Sequence, residues 1–295
     1  MIDYAVIESN LSKLDLNSIL VLKDNAYNCG LKEVLEIAYN KGFKRYAVIT
    51  KEEALYLVNK YNDIEVLMLG KEKLIHKQVV LTVENQEDYL FCKNYNVKFH
   101  IKLKSKMNRF GFEYLPTYFN DDLCMAIYYH IGFNNNYDIK EEIKRVNKYA
   151  DLEKEIHVGG SKMLNIQHKF TNRVGMRIYE GSKSLKGNII KIFSLKPNEY
   201  LGYNKGFISR KDMLVGIVDI GYKNGLNAEN RKSFVYINNK KYKLLGYKCM
   251  DYSFVEIDDT IKLNDEVEFL GKNININTLA KTEKRTIYEV FLNIK

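Results

Sequence analysis

The chain has no tryptophan, only two prolines and no apolar run approaching the ~20 residues that a membrane-spanning helix needs. Its first ten residues, MIDYAVIESN, lack the basic start and apolar stretch of a secretion signal. We therefore expect a cytoplasmic protein that does not use a membrane as a partner.

Cysteine is also sparse, and no two cysteines form a C-x-x-C pair. The four are Cys29, Cys92, Cys124 and Cys249. A zinc site or a disulfide framework would need closer and more regular spacings. We expect reduced thiols and no metal site.

Charged and apolar residues, by contrast, are abundant. Hydrophobic residues make up 46% of the 295 residues and charged ones 28%, which is typical of a folded globular protein. The net charge of +9 comes from basic residues interleaved with 37 acidic ones, so we expect a solvated basic surface and no nucleic-acid partner. The length suggests one large barrel or two domains.

Short β-rich segments alternate with helix patterns from residue 18 to about residue 180. Most are almost continuously apolar, as in parallel strands buried on both faces. A capping box of Thr50 and Glu53 marks the start of one intervening helix. The eight β-rich segments are 18–23, 45–50, 65–70, 78–83, 98–104, 124–130, 155–158 and 174–179. This alternation predicts an α/β fold, a (β/α)8 barrel within residues 1–186.

The pattern changes near residue 187, where β-rich segments follow one another without helix patterns. Turn signals such as Asn224-Gly225 separate them. The segments are 188–194, 213–220, 234–237, 241–245, 254–257 and 266–270. We expect a separate, mostly β domain over residues 187–295.

Reactive side chains gather at the predicted strand ends. Lys23 closes the first strand, Lys102 comes late in the fifth and His130 ends the sixth, while His157 and Ser161 accompany the seventh. Barrel enzymes build their active sites at the carboxyl ends of the strands. A lysine desolvated there shifts toward the neutral form that reacts with an aldehyde. Lys23 is thus a candidate for binding an aldehyde cofactor, although a solvated surface lysine is the alternative.

The sequence around Lys23, KDNAYNCG, resembles the cofactor-lysine motif V-K-A-N-A-Y-G-H-G of the fold-type III pyridoxal-phosphate enzymes, and among them the alanine racemase family. The resemblance continues in the family's order almost to the end of the chain. The further segments are 102–111 (L-K-V-D-T-G-M-N-R-L-G in the family), 157–161 (H-x-x-N-S), 173–176 (V-R-x-G-I), 202–203 (S-Y-G), 221–225 (G-Y-A-D-G), 246–251 (G-R-x-C-M-D) and 286–289 (T-x-Y-E).

This resemblance implies racemisation of a small amino acid, most simply L-alanine to D-alanine, with pyridoxal 5'-phosphate as cofactor. Lys23 would bind the cofactor covalently and serve as one acid-base group, and Tyr203 would be the other, because racemisation needs proton removal and delivery on opposite faces. The implied cofactor-binding residues are Lys23, Tyr27, His157, Ser161, Arg173, Gly175, Met176 and Tyr288.

The resemblance also implies roles for residues around the substrate. Arg173 would face the ring nitrogen and leave it unprotonated, since a guanidinium donates hydrogen bonds but does not readily release a proton. The implied substrate-binding residues are Arg109, Tyr222 and Met250. The implied supporting residues are Lys102, which carries a carbamate in the family, His130 and Asp251. Buried structural histidines remain the alternative for His130 and His157.

Other functions stay open at this point. The alternatives are a serine or broader amino-acid racemase, a decarboxylase of a larger amino acid, which Arg173 disfavours, and a non-catalytic pyridoxal-phosphate carrier. The resemblance further implies a homodimer with shared active sites and a supply of D-alanine for the cell wall.

The chain also departs from the family pattern. Asp24, Asn28, Cys29 and Gly160 replace its usual residues, and the chain looks shortened at both ends. We expect altered cofactor affinity more than lost chemistry, and the short ends bear most on how the domains pack.

Overall fold

The computed structural model describes residues 1–132, 135–160, 162–230 and 233–295. These residues form two compact units. The barrel unit is Tyr4–Glu180, and the second unit comprises Met1–Asp3 and Gly181–Lys295. The boundary therefore lies a few residues before the expected one at 186, because the chain from Gly181 already leads into the first strand of the second unit. Met1–Asp3 joins that unit through an isolated bridge between Ile2 and Lys183.

The barrel unit is a closed barrel of eight parallel strands, which confirms the predicted fold class. Strand β1 pairs with β2 on one side and with β8 on the other, so the sheet closes. The strands are β1 (Ile19–Val21), β2 (Arg45–Val48), β3 (Glu65–Met68), β4 (Val79–Val83), β5 (Phe99–Lys102), β6 (Cys124–His130), β7 (Glu155–Gly159) and β8 (Thr171–Val174).

In the described residues, α-helices connect β1 to β2, β2 to β3, β4 to β5 and β6 to β7. The predicted capping box is confirmed at the start of α4, where the Thr50 hydroxyl accepts from the backbone N–H of Glu53 at 3.2 Å and the Glu53 carboxylate accepts from that of Thr50 at 3.3 Å. A helix cap of this kind is worth about 1 kcal/mol. The helices are α1 (Tyr4–Leu11), α2 (Lys23–Asn28), α3 (Leu31–Asn40), α4 (Lys51–Lys60), α5 (Gln86–Asn94), α6 (Asn136–Asn147) and α7 (Met176–Tyr179).

The first predicted strand was too long. Strand β1 ends at Val21, and Lys23 opens α2 instead of closing a strand. After Lys23 the backbone is left-handed, with φ between +52° and +58° from Asp24 to Asn28. This conformation costs roughly 1–2 kcal/mol per residue for most side chains, so the surrounding contacts must hold the turn.

The eighth predicted strand, 174–179, was wrong. Strand β8 ends at Val174, and Met176–Tyr179 is helical. The segment VGMRIY is apolar enough for a strand or a helix, and such short runs cannot be assigned from periodicity alone. Pairing with the short β1, in which Leu20 lies opposite Val174, ends at this point.

The second unit is mostly β, as predicted, and its main element is a closed barrel of strands in the order β12-β15-β14-β13-β16-β9. All pairs within it are antiparallel. A separate two-stranded sheet joins β10 and β11. The strands are β9 (Leu185–Leu195), β10 (Tyr200–Leu201), β11 (Phe207–Ile208), β12 (Met213–Val218), β13 (Phe234–Ile237), β14 (Lys240–Leu245), β15 (Ser253–Ile257) and β16 (Glu266–Leu270).

Two helices of the second unit were not expected, α8 (Ile276–Glu283) and α9 (Ile287–Asn293). Asn275 caps α8, and the Thr286 hydroxyl caps α9 by accepting from the backbone N–H of Glu289 at 3.2 Å. The T-x-x-E spacing of Thr286 and Glu289 is a helix-start signal that the sequence carried.

In the described ranges, no helix combines the length and apolar character needed to cross a membrane. Among the same residues, no three His, Cys, Asp or Glu side chains gather into a group that could hold a metal ion. The four cysteines are free thiols, and three of them are buried.

Candidate active site

Neighbouring strands of the barrel unit bring several predicted site residues together. Lys102 lies opposite Tyr128 across β5 and β6, and Tyr128 lies opposite His157 across β6 and β7. Arg173 pairs in register with Gly159 across β7 and β8. His130 is the last residue of β6. The implied cofactor-binding residue Ser161 lies outside the described residues.

Arg173 is buried and held from several sides. Its Nη1 lies 2.9 Å from Nδ1 of His157, and its Nη2 donates to the backbone oxygen of Tyr129 at 3.2 Å. The guanidinium also packs over the Tyr128 ring, 4.6 Å from its centre. Burial lowers the pKa of Arg173 from its ordinary value. No carboxylate pairs with Arg173 among the described residues. Its guanidinium is therefore held in place by neutral groups.

A pair of buried histidines extends the hydrogen bonds of Arg173 further into the barrel unit. Because a guanidinium can only donate, Nδ1 of His157 must accept, which leaves the proton of His157 on Nε2. That nitrogen lies 3.0 Å from Nδ1 of His100 and donates to it. Burial lowers the pKa of His157 well below its usual value and that of His100 to about 3, so both are neutral near pH 7.

The sequence prediction missed His100. It lies two residues before Lys102 on the same strand, and alternate residues of a strand point to the same face. That two-residue spacing is the sequence signal by which His100 could have been predicted as a site residue. In the described part of the chain, Nε2 of His100 is buried without a hydrogen-bond partner.

Lys102 is buried beside an acid that the sequence prediction also missed. Its Nζ lies 3.1 Å from Oε2 of Glu84, the residue after β4, and Glu84 also pairs with Lys71. Burial, followed by the charge of Arg109, lowers the pKa of Lys102 to about 8. Glu84 has no counterpart in the motifs that carry the resemblance, so only the fold reveals the contact.

Arg109 is exposed, and no hydrogen bond or ion pair involves it among the described residues. Its charge nevertheless acts on its buried neighbours. The pKa of His130 falls to about 3 because of burial, then Arg173, then Arg109. The positive charge of Arg109 therefore lowers the pKa of both Lys102 and His130.

Lys23 and the left-handed turn after it form another part of the barrel unit. Nζ of Lys23 lies 3.3 Å from Oδ2 of Asp24, and both side chains are partly exposed. The turn buries Tyr27, whose ring packs against Tyr179 at 4.9 Å between centres. A Cβ added to Gly175 would lie only 2.6 Å from the Tyr27 hydroxyl oxygen. The absence of a side chain at Gly175 thus lets the Tyr27 hydroxyl lie close to the backbone, directly before Met176 begins α7.

The second unit holds the remaining predicted residues. Backbone hydrogen bonds from Tyr222 to Cys249 (2.9 Å) and from Lys223 to Met250 (3.1 Å) join two loops. Tyr222 and Met250 are consequently neighbours with exposed side chains, and Asp251 pairs with Lys223.

Tyr203 and Tyr288 occupy separate elements of that unit. Tyr203 opens a short 3-10 turn and is 71% exposed. Tyr288 lies in α9, and partial burial raises the pKa of its phenol.

Both units match known domains. The model of the alanine racemase N-terminal domain matches residues 2–122, and that of the alanine racemase C-terminal domain matches residues 183–295. The chain belongs to the alanine racemase family. This confirms the resemblance read from the motifs. Amino-acid racemases are isomerases, so the expected class of enzyme is confirmed as well.

Individual members of the alanine racemase family agree along nearly the whole chain. The alanine racemase of Wigglesworthia glossinidia brevipalpis is 27% identical, and the match covers 93% of this chain and 88% of that protein. The alanine racemase of Borreliella burgdorferi (strain ZS7) is also 27% identical, covering 94% and 88%.

Solved structures of family members share the fold. The alanine racemase from E. faecalis superposes with a TM-score of 0.84 at 21% identity, covering 100% of this chain and 95% of that one. The alanine racemase from Bartonella henselae, solved with covalently bound pyridoxal phosphate, has a TM-score of 0.84 at 20% identity and covers 99% and 96%.

Proposed function

We propose that this protein interconverts L-alanine and D-alanine, using pyridoxal 5'-phosphate bound to Lys23. The observation that supports this most is the buried, acid-free setting of Arg173 beside His157. A permanently charged donor without a carboxylate partner suits a ring nitrogen that must stay unprotonated. A decarboxylase would gain from a carboxylate at this position, so that alternative is disfavoured.

The residues present fit the chemical groups of the cofactor. Its aldehyde needs an amine, which Lys23 offers, and its ring nitrogen needs a donor, which Arg173 offers. Its phosphate needs hydrogen-bond donors, and the Tyr27 hydroxyl, which the missing side chain of Gly175 allows to lie close to the backbone there, would offer one. The further proposed cofactor contacts are Ser161, Met176 and Tyr288, with His157 orienting Arg173.

The bound cofactor would withdraw electrons from the substrate α-carbon. The protein would then move a proton across that carbon, with Nζ of Lys23 on one face and the hydroxyl of Tyr203 on the other. Two side chains are needed because a single base would return the proton to the face from which it came.

Substrate recognition is proposed for a third group of residues. Arg109 has the charge to bind the substrate carboxylate. Around the substrate side chain, little more than a methyl group would fit beside Tyr203, Tyr222, Met250 and Tyr288. Serine is the nearest alternative substrate. Lys102, His130 and Asp251 would act by supporting these side chains.

We further propose a homodimer whose active sites are shared, with Tyr203 of one subunit facing Lys23 of the other. Exposure of Tyr203, Met250 and Tyr288 on the single chain supports this, because a second copy could cover them. The proposed setting is the cytoplasm, and the proposed role is to supply D-alanine for the cell wall.

The deciding experiment incubates the purified protein with L-alanine, L-serine and L-lysine in deuterium oxide. We expect deuterium at the α-carbon of alanine together with D-alanine, and slower reaction of serine. Release of carbon dioxide would indicate a decarboxylase. Bound cofactor without exchange of any α-proton would indicate a carrier protein.

A further inference from the structure

Glu53 contacts more than the helix that it caps. Its Oε2 accepts hydrogen bonds from the backbone N–H groups of Ile49 (3.0 Å) and Thr50 (3.3 Å), which follow β2. Its Oε1 accepts from the backbone N–H of Asn25 at 3.1 Å, two residues after Lys23. One carboxylate therefore joins the start of α4 to the left-handed turn that follows Lys23.

This carboxylate lies where the pairing of the first two strands ends. In the described residues, β1 pairs in register with β2 up to Val21 and Ala47, and the backbone N–H of Leu22 still donates to the Ala47 oxygen at 2.9 Å. Beyond Leu22 the two segments separate into a turn and a helix. Glu53 bridges them there, because its two oxygens accept from both sides.

The left-handed turn needs such support. Its residues have φ between +52° and +58°, and they include Ala26 and Tyr27. Side chains of this kind enter that region only at a cost in free energy, because Cβ then lies too close to the following carbonyl oxygen. The first N–H groups of a helical turn also lack acceptors within the turn. Glu53 supplies an acceptor to one of them, the N–H of Asn25.

A second side chain holds the opposite end of the turn. The Tyr4 hydroxyl donates to the backbone oxygen of Cys29 at 3.0 Å. Glu53 differs from Tyr4 in contacting the end of the turn that is next to Lys23.

We propose that Glu53 is a positioning residue for Lys23. Its carboxylate fixes the backbone directly after this lysine and so sets the direction from which Nζ approaches the cofactor aldehyde. A reacting group held in the right geometry reacts far faster than a mobile one. The importance of Lys23 rests on the proposed function, whereas the contact between Glu53 and the turn rests on the hydrogen bonds alone.

Thr50 offers a matched control, because it forms the other half of the same helix cap. Its hydroxyl accepts from the backbone N–H of Glu53 at 3.2 Å. No hydrogen bond joins that hydroxyl to the turn in the part of the chain that the structure describes. Removing the Thr50 hydroxyl therefore weakens the start of α4 and leaves the Glu53 carboxylate in place.

The first test uses the unaltered protein and needs no variant. Amide hydrogen exchange is measured by mass spectrometry with fragmentation to single residues. Asn25 is exposed, so its amide would exchange like that of an unstructured chain if Glu53 did not bind it. We expect exchange about tenfold slower than that, or slower still. Exchange at the unstructured rate would overturn the proposal.

The second test compares Glu53→Ala with Thr50→Ala, which delete the two halves of the cap. Each variant is loaded with pyridoxal phosphate to equal occupancy, and the fraction of the bound cofactor that borohydride attaches to Lys23 is measured. Glu53→Ala should lower this fraction and speed the amide exchange of residues 24–28 by about tenfold. Thr50→Ala should leave both near the parent values. Equal effects in the two variants would show that Glu53 acts only through α4 and would overturn the proposal.

The two tests separate this inference from the proposed function. If Glu53→Ala does not fold, the exchange rate of Asn25 in the unaltered protein still decides whether the contact exists. A protein that binds pyridoxal phosphate through Lys23 but does not racemise alanine would contradict the proposed function without changing the role of Glu53. A change of amide exchange in Glu53→Ala without any change in the linked fraction would contradict the role of Glu53 alone.

Discussion

Nη1 of Arg173 lies 2.9 Å from Nδ1 of His157, and this one contact determines where the protons lie on two histidines. Arg173 must donate, so His157 accepts at Nδ1 and donates from Nε2 to His100. Both rings are therefore neutral and held in one orientation. The Arg173 guanidinium is thus positioned by His157, a side chain that carries no charge.

The neutral histidines predict acid sensitivity of the barrel unit. The folded-state pKa of His100 is about 3, below its ordinary value of 6.5, so the unfolded chain binds more protons in between. The free energy of unfolding is therefore unaffected by the titration of this histidine above pH 6.5. It decreases as the pH falls toward 3, by about 1.4 kcal/mol per pH unit for each such histidine. We expect the melting temperature to fall between pH 7 and pH 5.

Replacing one ring should change the slope of that loss. In His100→Gln the melting temperature should depend less steeply on pH, whatever its absolute value. His76→Gln, which alters a partly exposed histidine before β4, is the control and should keep the original slope. Equal slopes in all three proteins would contradict the prediction.

Gly175→Ala should weaken cofactor binding, because the added Cβ would lie 2.6 Å from the Tyr27 hydroxyl and displace this proposed phosphate ligand. We expect the Kd for pyridoxal phosphate to rise by about tenfold or more, equivalent to at least 1.4 kcal/mol. Equilibrium dialysis measures it. An unchanged Kd in a folded variant would remove Gly175 from the phosphate site.

Lys23→Ala should abolish the covalent cofactor linkage, since no amine remains at this position. Borohydride reduction followed by peptide mass spectrometry should find labelled Lys23 in the parent protein and no label in the variant. Lys32→Ala, on the exposed face of α3, should be labelled like the parent. A label on another lysine would show that the site assignment is wrong.

Tyr203→Phe should keep the cofactor and lose most racemisation, because only the hydroxyl proposed to carry the proton is removed. General acid-base groups contribute about 100-fold or more, so we expect a loss of that order in both directions. The control is Tyr200→Phe, which changes another exposed tyrosine of the second unit. Normal turnover by Tyr203→Phe would eliminate it as a base.

Mixing the two inactive variants tests the shared site. Random exchange between Lys23→Ala and Tyr203→Phe subunits makes about half of the dimers mixed, each with one intact and one doubly altered site, so activity should return to about a quarter of the parent value. If both residues came from one chain, no subunit would hold an intact pair. Failure to recover activity despite verified exchange would exclude sharing.

The sequence alone determined three things: the parallel barrel, the mostly β second domain and the family. Apolar segments alternating with helix patterns are a local property, because burial on both faces requires apolar side chains along the whole strand. The motif around Lys23 and those up to Tyr288 are likewise readable without coordinates.

The tertiary structure decided what those side chains touch. Contacts with neighbouring elements decide the left-handed turn after Lys23 and the end of β8 at Val174. Both segments are short, and a short segment of such residues can adopt several conformations. The pairing of His157 with His100 joins two strands, and that of Lys102 with Glu84 joins β5 to the residue after β4. Their meeting is set by the register of the closed barrel, which no local pattern of residues encodes.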